Sequence, residues 1–296
     1  MNNAYTKPSL SPAHLLELLI QHGLTVHDAA KAIKQLKMVS YHRLSSYFEP
    51  FLLPNTHKQQ FKAGSSFEGI WELYSFDRKL RLLLSDALER IEVAFRTTIS
   101  DNMSCLYGSH WFLERIHFKN TYLYGALLKQ IDALCQNSHE PSIRGYYKKY
   151  QYPLYPPSWM VIECLSFGAC CSTFSNLKRL GDKKVISEIF GYHPTAIESW
   201  MDALRYTRNL CAHHARVWNR WFVVSPKLTY LYGPSFQKEN SFYAQALVIK
   251  KLLTKINSYK DWQQQLSALF QVSPAIDMTQ MGFQADWQND AFWELT

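Results

Sequence analysis

The sequence predicts an all-α protein. Three observations carry this. Glycine and proline are scarce, 11 and 12 in 296 residues, so turns are few and elements long. Apolar residues return at spacings of three and four over long windows. No segment shows a sustained two-residue alternation. A hydrophobic fraction of 47% against 19% charged residues places the chain among proteins with a packed core and excludes a disordered one.

In chain order, residues 11–24 open on Ser11-Pro12 and close at Gly23, with Leu15, Leu18, Leu19 and His22 at helical spacing. Thr25 is expected to cap a second helix, Val26 to Lys37. This pair reads as an αα-hairpin or a helix-turn-helix. The stretch Tyr41 to Phe48 is aromatic and basic, with no clear secondary structure. Pro54, Asn55 and Gly64 mark residues 52–66 as a loop. Ser66 then opens the longest helical pattern, to about Asn102, with Ile70, Leu73, Leu80, Leu84, Leu88, Ile91 and Phe95 on one face. Glu92 and Arg96 form an acid-first i,i+4 pair. They serve either as a surface ladder or as a restraint on arginines elsewhere. A helix is expected over 121–136, then a basic, tyrosine-rich stretch at 143–155. Pro153, Pro156 and Pro157 break the chain. Ser158 is expected to cap a helix to about Leu180. The next helix is expected at 194–221, with Pro226 and Gly233 beyond it. Phe242 to Phe270 read as two helices, and the tail from Val272 is loop-like but rich in large apolar groups. The expected division is an N-terminal hairpin region, 1–60, a helical core, 61–235, and C-terminal helices with a packed tail, 236–296.

The segment Arg205–Arg220 gathers Arg205, Arg208, Arg216 and Arg220 with Asn209, Asn219, His213 and His214. From Ala203 through Lys238 there is no Asp or Glu, while six Lys and Arg are present. The whole chain carries a formal charge of +8. A basic surface without acids of its own suits a polyanion. On a helical wheel at about 100° per residue, Trp200, Leu204, Cys211, Ala215, Trp218 and Phe222 share the buried side, and Arg205, Asn209, His213, Arg216 and Arg220 share the other. Arg208 and His213 are five residues apart, about 140° on an ideal helix. They converge only through a long side chain, a helix irregularity, or a second copy of the chain. A homodimer follows naturally.

RNA cleavage requires proton transfer at the 2′- and 5′-oxygens and neutralisation of the phosphorane. A histidine and an arginine supply both without a metal. No two-metal carboxylate cluster, H-E-x-x-H or P-loop is present, and no cofactor is expected. Two alternatives stay open. One is a non-catalytic RNA-binding protein using the same face. The other is a DNA-binding regulator using the 12–37 hairpin. The six cysteines form no C-x-x-C pair and read as reduced thiols of a cytoplasmic protein. No apolar run is long enough to span a membrane, and the first residues lack a secretory h-region.

Arg208-Asn209-x-x-x-His213 resembles the R-x(4–6)-H signature of HEPN-superfamily ribonucleases. The wider text resembles the Abi-like (abortive infection, AbiD/AbiF type) proteins of bacteria. The matching stretches are Tyr41 to Tyr47, Ser66 to Arg81, Glu89-Arg90-Ile91-Glu92 to Arg96, Pro156-Pro157-x-Trp159, Glu163-x-x-Ser166-Phe167-Gly168, Arg208 to Arg220, and Met281-Gly282-Phe283-x-x-x-Trp287. The chain departs from that pattern at His42, where Tyr is usual, and at Ser46, where Gly is usual. The resemblance implies a HEPN-type helical bundle with additional N- and C-terminal helices, a two-fold dimer joining two motifs, and metal-independent endoribonuclease activity in anti-phage defence. It implies Arg208 and His213 as the catalytic pair, with Asn209 orienting them. Arg205, Arg216, Asn219 and Arg220 would bind flanking RNA. Glu89, Glu92, Arg96 and His214 would support the pair. Some similar proteins are toxins held in check by a small RNA, so RNA is expected as substrate and, in that role, as regulator.

Overall fold

The computed structural model describes residues 8–54, 59–137, 139–228, 238–257, 260–273, 276–290 and 293. Among these residues there are twelve α-helices, and the only β pairings are isolated bridges. The protein is all-α. It forms two compact units, Met1–Lys79 and Leu80–Thr296. None of the described helices is long and apolar enough to cross a membrane.

In the first unit, α1 (Pro12–Gln21) and α2 (Ala29–Val39) pack as a hairpin. Ser11 caps α1, accepting the His14 amide. Thr25 does not cap α2; Asp28 does, accepting the Lys31 amide. The Thr25 backbone instead pairs with the segment before the long helix, through Thr25 N–H to Ser65 O and Phe67 N–H to Thr25 O. Asp28 follows three residues later and fits the cap equally well, so a turn of extended chain is inserted. The stretch with no clear secondary structure becomes a short helix, α3 (Tyr41–Ser45), followed by buried Tyr47 and Phe48. The Tyr47 hydroxyl donates to Asp77 at 2.6 Å. Residues 55–58 of the expected loop lie outside the described residues. Helix α4 (Phe67–Tyr107) begins in this unit, with the Ser66 hydroxyl accepting the Gly69 amide, and ends in the next.

In the second unit, α4 continues and is followed by α5 (Thr121–Asn137), α6 (Pro141–Lys149), α7 (Ser158–Cys164), α8 (Phe167–Asn176), α9 (Leu180–Ser187) and α10 (Pro194–Ala212). Helices α11 (Phe242–Lys255) and α12 (Lys260–Gln271) complete it. The single helix expected from Ser158 to Leu180 is two. Ser166 breaks it by capping α8 through the Ala169 amide. Ser158 is the first helical residue rather than a cap; its hydroxyl is buried against Ser104 at 2.6 Å. Helix α10 packs on α8, α9 and α11. It buries Ile197, Trp200, Met201, Leu204, Leu210 and Cys211 at helical spacing. Phe95 of α4 meets Phe167, Phe174 and Phe190 at ring distances of 5.3–6.3 Å. The tail returns to the body: Met281, Phe283, Trp287 and Trp293 are buried, with Phe283 against Phe242, Tyr243 and Phe270. Gly233, expected at the exit of the motif helix, lies outside the described residues.

Candidate functional site

Helix α10 carries Arg205, Arg208 and Asn209, and it ends earlier than its spacing predicts. Ala212 is its last residue and His213 its C-cap, with the His213 amide bonded to Asn209 O at 2.9 Å. His214 follows at φ 54°. Its amide reaches Cys211 O at 3.0 Å, and the Ala215 amide reaches Leu210 O at 2.8 Å. These two bonds make a Schellman turn, a helix stop that normally uses glycine at the left-handed position. Here histidine occupies it, which costs about 1–2 kcal/mol for an L-residue. Buried Arg81 donates to the Ala215 carbonyl at 3.4 Å, which helps hold the turn.

The early stop divides the expected polar face. Arg216, Asn219 and Arg220 lie beyond the helix and do not continue its wheel. Arg220 donates to Arg216 O at 3.2 Å and to the Tyr206 hydroxyl at 3.3 Å, with its guanidinium over the Tyr206 ring. Asn219, at φ 44°, donates to Gln280 of the tail at 3.0 Å. The exit segment is held further by Phe222 N–H to Asn240 O and by Gln245 Nε2 to Val224 O. Trp218 and Phe222 are buried as expected, but through this loop and not through a longer helix.

The basic run also has acids, and they come from outside it. Asp202, one residue before the acid-free window, accepts Arg205 Nε at 2.9 Å and Nη2 at 2.6 Å. Glu92 of α4 lies 3.6 Å from Arg208 Nε. Its other oxygen pairs with Arg96 Nη2, and Arg96 Nη1 donates to Glu163 O at 2.5 Å. Glu92 is buried, whereas 44% of the Arg208 side chain is exposed. Glu92 therefore bridges two arginines, meeting Arg208 at its Nε edge while much of the Arg208 side chain stays exposed.

Glu89, Glu92, Arg96, Arg208 and Ala212 line one cleft of about 420 Å³. Arg205 lies apart from it, on a groove of about 950 Å³ with Gly168, Glu198, Asp202 and Lys227. His213 and Asn209 are not on the cleft wall, although His213 directly follows Ala212, which is. His213 is exposed, and its imidazole has no hydrogen-bond partner among the described residues; the same holds for the Asn209 amide. His214 is exposed. Residues that the spacing did not reveal are Arg81, Asp202, Glu163 and Gln280. Only Asp202 had a local signal, as the i,i+3 partner of Arg205.

Three of the cysteines are closed off. Cys211 is buried. Burial pushes the Cys170 thiol up to about 12 and raises Cys171 as well, so neither presents a thiolate. Among the described residues, no three His, Cys, Asp or Glu side chains group as metal ligands.

These features define an all-α protein that carries, among its described residues, an acid-anchored arginine on a cleft and an exposed histidine at the end of the same helix. The chain matches the family model of Abi-like proteins over residues 34–219, more than half its length, and it belongs to that family. The match takes in α4, α10 and the turn after it, and stops at Asn219. No curated protein and no solved structure matches the chain.

Proposed function

We propose that the protein is a metal-independent endoribonuclease acting in abortive-infection defence. The observation that carries this is the pairing of two exposed groups five residues apart. Arg208 is oriented by buried Glu92, and the His213 imidazole is unpartnered in the described chain. Membership of the Abi-like family supports the defence role.

In the reaction proposed, a base removes the 2′-hydroxyl proton and the 2′-oxygen attacks phosphorus. The bond from phosphorus to the 5′-oxygen then breaks. The products are a 2′,3′-cyclic phosphate and a 5′-hydroxyl, which takes its proton from an acid. His213 serves as acid or base, since a histidine exchanges protons near neutral pH. The terminal nitrogens of Arg208 grip two phosphate oxygens and stabilise the added negative charge. Asn209 orients the phosphate or the imidazole. Arg208 lines the cleft and His213 does not, which favours two copies of the chain, each completing the other's site. Arg216 and Arg220 are assigned to flanking phosphates, and Arg205, already paired with Asp202, contributes less.

The reading is tested with an end-labelled RNA carrying a single 2′-deoxy residue at the mapped cleavage position. Cleavage should disappear there and persist elsewhere, with cyclic-phosphate ends. Cutting at the deoxy position would refute 2′-hydroxyl attack.

A further inference from the structure

Away from the cleft, the described surface between α6 and α7 combines large exposed aromatics with cations. Helix α6 buries Ile143 and Tyr146 and turns Arg144, Tyr147, Lys148 and Lys149 outward. The chain then runs through Tyr150, Tyr152 and Leu154 to Trp159 at the start of α7, and all four are exposed. Tyr152 reaches 86% exposure and Trp159 48%. From Pro141 through Ile162 there is no Asp or Glu. Arg144, Lys148 and Lys149 make no ion pair among the described residues.

This surface is fixed rather than loose. The Tyr146 hydroxyl donates to Pro153 O at 2.6 Å, and the Tyr147 hydroxyl donates to Leu154 O at 3.0 Å. The Tyr155 hydroxyl donates to Asp132 at 2.5 Å, and Lys149 Nζ sits 5.1 Å from the Tyr150 ring centre. Large exposed rings concentrated in one short segment point to a binding surface. Their interleaving with unpaired cations selects the occupant. Aromatic faces offer stacking to bases, and lysines meet the phosphates between them. A single strand uses both features at once, with bases on the rings and phosphates on the cations. The surface also leads toward the cleft. Trp159 and Glu163 are four apart on α7, on one face and about 6 Å apart along its axis. The Glu163 carbonyl is the group that holds Arg96 beside Glu92.

We propose that residues 144–159 form a stacking platform for single-stranded RNA. Bases lie on Tyr150, Tyr152 and Trp159, and the backbone passes Arg144, Lys148 and Lys149. The platform rests on the nucleic-acid reading of the neighbouring cleft but does not need that cleft to cut.

The test uses the full chain carrying His213→Ala, so that the probe is not consumed, and a fluorescent 20-nucleotide oligouridylate. Tyr150→Ala with Tyr152→Ala should weaken binding by about tenfold per lost base contact. Lys148→Gln with Lys149→Gln should lower the salt slope by about 1.4. A duplex of equal length should bind less well than the single strand. The four positions are exposed, so circular dichroism should be unchanged. Tyrosine variants that bind within threefold of the parent would overturn the proposal, as would a parent that does not bind the strand. So would variants that only change dimer dissociation, which would mark the surface as a protein interface. If the unsubstituted protein binds the strand through these residues and never cuts RNA, the nuclease reading falls and the platform stands.

Discussion

Arg208→Ala is expected to lower RNA cleavage by roughly 100- to 1,000-fold, the usual cost of removing one transition-state charge donor, while leaving stability within about 1 kcal/mol. The side chain is 44% exposed, and its one acid contact among the described residues is the 3.6 Å approach to Glu92, so the fold loses little. Arg208 lines the open cleft, so a bound phosphate loses much. Kinetics on a defined RNA, with thermal unfolding of the same preparation, separate the two losses. If unfolding drops sharply, the arginine is a structural clamp.

Glu92→Gln should show the opposite balance, with a large stability cost and a secondary loss of activity. Glu92 and Arg96 are 11% and 15% exposed as side chains. Arg96 Nε is already buried without a hydrogen bond. Removing one partner of such a pair strands the other charge and costs about 2–3 kcal/mol, below the full buried-pair value because the amide keeps one hydrogen bond. For a unit of this size, that lowers Tm by on the order of 5–10 °C. Arg208 would also lose its anchor, so cleavage should fall even at temperatures where the variant is folded. A Glu92→Gln protein that melts with the wild type would mean that the carboxylate is not the hub of the two arginines.

Much of this was legible from residue spacing. The apolar stripe from Ile70 to Phe95 gave α4 its face, and sparse Gly and Pro gave the all-helical class. The end of α10 was not legible. Arg216, Trp218, Arg220 and Phe222 keep helical spacing after Ala212, and the stop uses His214 in a left-handed position where a glycine would have been a signal. Of the site's acids, Glu92 was legible as one arm of an i,i+4 pair able to restrain distant arginines, but its choice of Arg208 depends on a tertiary contact that no local pattern records. Asp202 was missed because it stands just outside the acid-free window. The break between α7 and α8 had a signal in Ser166, but the apolar spacing across it ran on. In Tyr150 to Trp159 the composition was plain, and only the structure distinguishes the exposed rings from buried Tyr146.

Incubation of the purified protein and its His213→Ala variant with end-labelled RNA in EDTA decides the nuclease assignment. His213 is exposed, so the variant should fold. Losing the acid–base group should cost roughly 100- to 10,000-fold in rate. Cleavage by the wild type, undiminished by EDTA and absent from the variant, is the predicted result. Equal cleavage by both proteins, or cleavage only when a divalent metal is restored, would contradict a metal-free site built on Arg208 and His213.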